Sequence, residues 1–341
     1  MFMKRFKGSS PRFAGLLATS ILMAAAAFAN ANAADFTMKF GTATVNDDQH
    51  QYIKFFKEEI EKASGGKIAV EIYPQSQLGA IPRQIEGLQF GTVEGFVGPA
   101  DFYVGLDPRF GVFSTPTLFR DRTHAAKTVA DPELNKEIMN LADAKGIVGL
   151  GMFSMAQHDY LGREPIRTLA DFKGKKIRVN ATQLERDAMA RLGASAAPMP
   201  LNEVLPALQR GVIDATRSSL SILYTFKYFD VNKTATVIND TMIIPIAFTS
   251  KAFLSKLPED LRMKVLESGR TAQVRTQEWA NEFHQGMRAK WVEAGGEVFV
   301  MPEAERAKII NLLKPVGDDV TANDPSVKAM LTRIRAVAAK Y

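Results

Sequence analysis

Apolar and polar residues alternate over FTMKFGTAT, residues 36–44, and a period of two predicts a strand with one buried face. The next residues, NDDQ, place Asp47 and Asp48 where helix N-caps belong. In QYIKFFKEEIEKAS the period lengthens: Tyr52, Phe56, Ile60 and Ala63 fall on one helical face, and Gly65 and Gly66 stop the helix. KIAVEIYP then reads as a second strand. Strand, helix and strand keep alternating along much of the chain, which predicts an α/β architecture with parallel pairing.

Two short patterns recur in the same order. KIAV, Lys67–Val70, returns as KIRV, Lys176–Val179, and LQFGTVEG, Leu88–Gly95, returns as LQRGVIDA, Leu208–Ala215. Each second pattern reads as a helix ended by glycine (Gly91, Gly211) and a short strand carrying an acid (Glu94, Asp214). The repetition predicts two related α/β halves facing each other across a cleft. Matching KIRV to KIAV sets Arg178 against Ala69. Arg178 then reads either as the solvated member of a half-exposed strand or as a functional side chain that the fold itself does not require.

The N-terminus departs from this rhythm. MFMKRFKGSSPR carries Lys4, Arg5, Lys7 and Arg12 with no acid, an apolar run follows from Phe13 to Ala29, and small residues close the segment. That order predicts a secretory leader over residues 1–33, and the run is too short and alanine-rich to span a bilayer comfortably. Loss of the leader removes four basic groups and lowers the formal charge from +6 to +2, so the basic balance argues for no nucleic-acid partner. The sequence has no cysteine, which rules out disulfides, thiolate catalysis and cysteine-bound zinc. An exported, unanchored chain predicts the bacterial periplasm.

Familiar catalytic signatures are missing. No G-x-S-x-G, H-E-x-x-H, Walker loop or post-strand G-x-G-x-x-G occurs, and His50, His124, His158 and His284 have no metal-ligand spacing. Acid-rich runs such as KEEIEK read as solvated helix faces, and Trp291, in EFHQGMRAKWVEAG, reads as helix packing. Nothing nominates an enzyme, a cofactor or a metal.

The leader, the repeat and KIRV stand beside longer stretches: YPQSQLG, RQIEGLQFG, PTLFRD, DFKGKKIRV, PMPLNEVLPALQRGVIDA, KYFDV and KLPEDLR. Together they resemble the solute-binding proteins of tripartite ATP-independent periplasmic (TRAP) transporters, the dicarboxylate-binding-protein family. The resemblance implies a bilobal periplasmic-binding-protein-like α/β fold with an interlobe ligand cleft and a long crossing helix. It implies a monomeric receptor, not an enzyme, that holds a small carboxylate and delivers it to TRAP permease subunits. A receptor for an ATP-driven transporter or a sensor subunit shares the same lobe logic, and a periplasmic enzyme stands further off. The expected division is leader 1–33, lobe I from 34–155 plus 244–283, and lobe II from 156–243 plus 284–341.

In the family, the arginine of the K-[IL]-R-V strand pairs with the ligand carboxylate, which carries onto Arg178. A planar guanidinium suits that task because it donates two parallel hydrogen bonds. Many members carry a second, earlier arginine, and an ungapped count places His158 there, either as a donor to ligand or as an ordinary packed histidine. The family's V-D-G-Q-E-N-P appears as IDATRSS, which sets Ser218 at the ligand-contacting asparagine. Its neighbour Arg217 reads as a second clamp or, by preference, as an ion-pair or surface residue. Leu201 stands where phenylalanine is frequent. Asn180 and the strand end Thr42–Asn46 are expected to line the crevice, with Phe102 and Tyr103 as cleft walls or core.

Overall fold

The computed structural model describes residues 1–3 and 34–341, so residues 4–33 of the expected leader, with its cleavage sites, lie outside the described residues. The first helix, α1 (Asp48–Ala63), starts as the capping pattern predicts: the Asp47 side chain accepts the His50 N–H at 3.1 Å. Tyr52, Phe56 and Ile60 are buried along one face, Ala63 is exposed, and Gly65 and Gly66 turn the chain with φ of 63° and 80°.

Two sheets form. One has the order β2 (Ile68–Tyr73), β1 (Phe36–Thr42), β3 (Gly95–Pro99), β10 (Pro245–Ser250), β4 (Ile147–Met152). The other runs β11 (Glu297–Val300), β9 (Thr234–Met242), β5 (Gln157–Gly162), β8 (Ala215–Ser218), β6 (Lys176–Val179), β7 (Ser195–Pro198). Within the first sheet β2–β1–β3 pair in parallel, and within the second β7–β6–β8 do the same. Each trio is a βαβαβ unit. The helices of the first are α1 and α2 (Ile81–Phe90), and those of the second are α3 (Gln183–Arg191) and α4 (Leu201–Gln209).

Pairing corrects the alignment of the repeat. Phe40 lies opposite Gly95 in the first unit and Ile177 opposite Ala215 in the second, so the counterpart of β6 is β1. A second bond agrees: Glu94 accepts the Lys39 N–H at 2.9 Å, and Asp214 accepts the Lys176 N–H at 2.7 Å. Arg178 therefore corresponds to Gly41 rather than to Ala69, while KIAV is the edge strand β2. Four similar letters cannot distinguish two strands of one unit; hydrogen-bond register can.

The chain passes between the sheets at Phe153–Ala156 and again at Ile243–Ile244. These crossings lie side by side, with the Met155 N–H donating to the Ile243 carbonyl at 3.0 Å and the Ile243 N–H to Ala156 at 2.9 Å. The long helix α5 (Glu259–Gln285) starts within KLPEDLR and braces them: Gln277 Oε1 accepts the Ser154 N–H at 3.0 Å, and Gln273 Oε1 accepts that of Met152 at 2.8 Å. Trp291 packs as expected, fully buried with its N–H on the Lys233 carbonyl at 2.9 Å.

The last helix is α6 (Pro325–Ala338), within the 284–341 stretch that the expected division assigns to the second lobe. It packs on Pro108–Ser114 and on the helix Arg122–Val129, and His124 Nε2 lies 2.9 Å from the Ala338 carbonyl. Its buried stripe of Met330, Leu331, Ile334 and Val337 finds its apolar partners there.

Candidate functional site

The C-terminal ends of the parallel strands face one another, and a cavity lies between them. On the second-sheet side it is lined by His158 (β5), Arg178 and Asn180 (the end of β6), Ser218 (β8), Leu201 (the start of α4) and Ile222. Opposite are Ala43, Thr44, Gln49, Ile81, Pro99 and Phe102, and Ile243 of a crossing segment closes one side. Ligands of open α/β sheets bind at this end of the strands because loops and helix starts converge there.

The walls are related by the repeated unit. Ala43 stands where Asn180 does, Ile81 begins its helix as Leu201 begins its own, and Phe102 follows the paired residue Gly95 at the same distance as Ile222 follows Ala215. Two βαβαβ units thus present equivalent positions across the gap.

Arg178 is 3% exposed, so the half-exposed strand reading is wrong for it. Its Nε and Nη2 donate to the Met199 carbonyl at 3.1 and 3.0 Å, and among the described residues it makes no ion pair. Burial depresses its pKa, partly opposed by Tyr228, Glu185 and Asp101. Behind it Glu185, the N3 residue of α3, is raised to about 7, first by burial and then by the nearby Asp101.

Arg217 does not line the cavity. It is 1% exposed, with Nη2 2.7 Å from His158 Nδ1 and 3.7 Å from Asp240 Oδ2, and its guanidinium sits 5.7 Å from the Tyr160 ring centre. Tyr160 donates its hydroxyl to the same Asp240 oxygen at 2.8 Å. Burial opposes the Arg217 charge, yet the fields of Tyr160, Asp240, Glu185 and Asp101 outweigh it and raise the pKa. The ion-pair expectation suits this residue, the surface expectation does not.

His158 stands between Arg217 and the cavity. Burial, then the charges of Arg217 and Arg178, hold its pKa well below the ordinary value, so the ring is neutral. With Nδ1 accepting from Arg217, the proton sits on Nε2, and His158 is a neutral donor.

Asn180 bridges the two sides: its Nδ2 donates to Asp101 Oδ2 at 2.7 Å, and Ser114 donates to the other oxygen of Asp101. Burial raises the pKa of this carboxyl.

Among the remaining expected residues, Leu201, Ser218 and Phe102 line the cavity and Tyr103 does not. The Tyr103 ring is wholly buried, 4.8 Å from Phe248, with its hydroxyl on the Ile246 carbonyl at 3.0 Å. A short 3₁₀ turn over Ala100–Tyr103 points these adjacent aromatics in different directions. Gln49, Ile81, Pro99, Ile222 and Ile243 were not anticipated; Ala43 and Thr44 lie inside the expected strand end. Gln49 sat in NDDQ, a segment legible only as a helix start.

Among the described residues no group of His, Asp or Glu is arranged to hold a metal, and no helix is long and apolar enough to cross a membrane.

Known proteins agree with this architecture. Residues 40–324 match the DctP family, described as bacterial extracellular solute-binding protein, family 7. The C4-dicarboxylate-binding periplasmic protein DctP of Rhodobacter capsulatus is 30% identical over 78% of this chain and 80% of its own length. The 2,3-diketo-L-gulonate-binding periplasmic protein YiaO of Escherichia coli K12 is 28% identical over 80% of this chain and 84% of its own. Among solved structures, a TRAP periplasmic solute-binding protein from Xanthobacter autotrophicus Py2 with bound β-D-galacturonate superposes with a TM-score of 0.80. It shows 26% identity and covers 88% of this chain and 99% of its own. The chain belongs to the DctP family, the bilobal TRAP-transporter receptors that bind small organic acids for delivery to a membrane permease.

Proposed function

We propose that Arg178 is the carboxylate anchor of a periplasmic receptor that closes on a small organic acid and releases it unchanged to its permease. The observation that carries this reading is a buried guanidinium facing the interlobe cavity with only a carbonyl oxygen as acceptor. That bond uses the Nε/Nη2 side and leaves the outer edge for two parallel bonds to a carboxylate. An ionised group stripped of water requires a partner, and an anionic ligand supplies it.

Around this anchor, neutral His158 donates from Nε2 and Ser218 offers a hydroxyl. Arg217 acts through His158, fixing its tautomer and orientation. The lobes follow the two sheets, with the C-terminal helix docked on the first. Export by the residue 1–33 leader puts the mature chain, as a monomer, in the periplasm, the compartment named for its relatives. Ligand shifts the hinge equilibrium only by its greater affinity for the closed form.

Isothermal calorimetry with an acid that binds the parent protein tests the anchor. Arg178→Ala costs about 3–5 kcal/mol, a hundredfold or more in affinity. Arg178→Lys also weakens binding, because the paired geometry is lost. Unchanged affinity in a folded Arg178→Ala protein refutes the anchor. A ligand recovered chemically intact after prolonged incubation separates the receptor from an enzyme.

A further inference from the structure

Arg178 accounts for one end of the ligand; the remaining walls define the other. Among the described residues, Arg178 is the only cation lining the cavity. The second guanidinium, Arg217, is held by Asp240 and lies behind His158. The other polar lining groups are neutral, and two are backed by buried acids: the Thr44 hydroxyl donates to Asp47 at 2.8 Å, and Asn180 donates to Asp101 at 2.7 Å. The start of α1, which would otherwise attract an anion, is already capped by Asp47. Ile81, Pro99, Phe102, Leu201, Ile222 and Ile243 supply most of the remaining wall.

These groups treat three kinds of acid differently. A second carboxylate would lose its water against neutral walls backed by Asp47 and Asp101, with no cation in compensation. A polyhydroxylated chain would find Gln49, His158 and Ser218 as partners, and its remaining hydroxyls would lie on aliphatic side chains that cannot bond them. A carbon skeleton with few polar atoms gains from the same contact, by roughly 25 cal/mol per Å² removed from water.

Resting on the carboxylate-anchor reading, we infer that this cleft selects a monocarboxylate with a compact, mainly apolar body over dicarboxylates and sugar acids. The first-unit wall, Ile81 and Phe102 above all, is what sets that preference.

Calorimetry on the mature chain separates the possibilities, using 4-methylpentanoate, 4-methyl-2-oxopentanoate and benzoate against succinate and galacturonate. At least one monocarboxylate binds tenfold or more tightly than both succinate and galacturonate. If succinate or galacturonate binds as tightly as the best monocarboxylate, the inference fails while the receptor reading stands. If no acid of either class binds at millimolar concentration, both fail. Within the expected result, Phe102→Ala weakens the best monocarboxylate severalfold and succinate by a smaller factor; an equal loss for both also contradicts the preference.

Discussion

The two βαβαβ units share strand order, a left-handed glycine at Gly91 and Gly211 with φ of 71° in each, and an acid bonded to the same backbone position. They differ in what fills the positions facing inward. Where the second unit has Arg178, Arg217 and Ser218, the first has Gly41, Val97 and Gly98. The space beside Gly41 is taken by Gln84 from α2: a Cβ built there would fall 1.9 Å from its Oε1. Val97 is fully buried in an apolar cluster, whereas Arg217 is equally buried in a network with His158, Asp240 and Tyr160. One framework thus serves as an apolar lid on one side and as a charged floor on the other.

The largest break in this comparison comes from giving the floor the residue of the lid. Arg217→Val leaves Asp240 buried without its cation and lowers unfolding free energy by about 3–5 kcal/mol in denaturant titration. No loss of stability would mean that the network is already compensated.

The helix starts offer a second contrast, since α1 is capped by Asp47 and α3 by Thr182. Burial, then Asp48, lifts Asp47 from 3.8 to about 7. A raised carboxyl pKa means that the folded state holds a proton the unfolded state has lost, so this group's contribution to stability declines as pH rises from about 4 to about 7. Asp47→Asn keeps the cap and removes that decline, a change of at most about 4 kcal/mol across the window. Parent and variant with parallel stability–pH curves would contradict the assignment.

Importing a Cβ into the lid, Gly41→Ala, is a smaller perturbation. Gln84 must swing away and surrender its 2.7 Å bond to the Gly79 carbonyl, at about 1–3 kcal/mol. Gly41→Ala at full stability would show that Gln84 has a second place to go.

The periodicities of residues 36–73 and the glycine-ended helices are legible in the sequence because each depends on local pattern. The register of the repeat is not. KIAV resembles KIRV in letters, but strand pairing makes β1 the equivalent of β6, and pairing is a long-range property. The same limit hides Gln49, brought to the cavity from a helix start, and Tyr103, turned into the core beside a neighbour that faces the cleft. It also hides the packing of the C-terminal helix on Pro108–Ser114 and Arg122–Val129, where its apolar stripe finds partners distant in sequence.

The central claim is that Arg178 holds a carboxylate, and pairing ligand chemistry with mutation tests it most directly. The tightest-binding acid and its primary amide are each titrated calorimetrically into parent and Arg178→Ala proteins. The acid loses a hundredfold or more on mutation while the amide, already weak, loses little, a coupling of about 3 kcal/mol between guanidinium and carboxylate. Equal losses for acid and amide would show that Arg178 shapes the cleft without gripping the carboxylate.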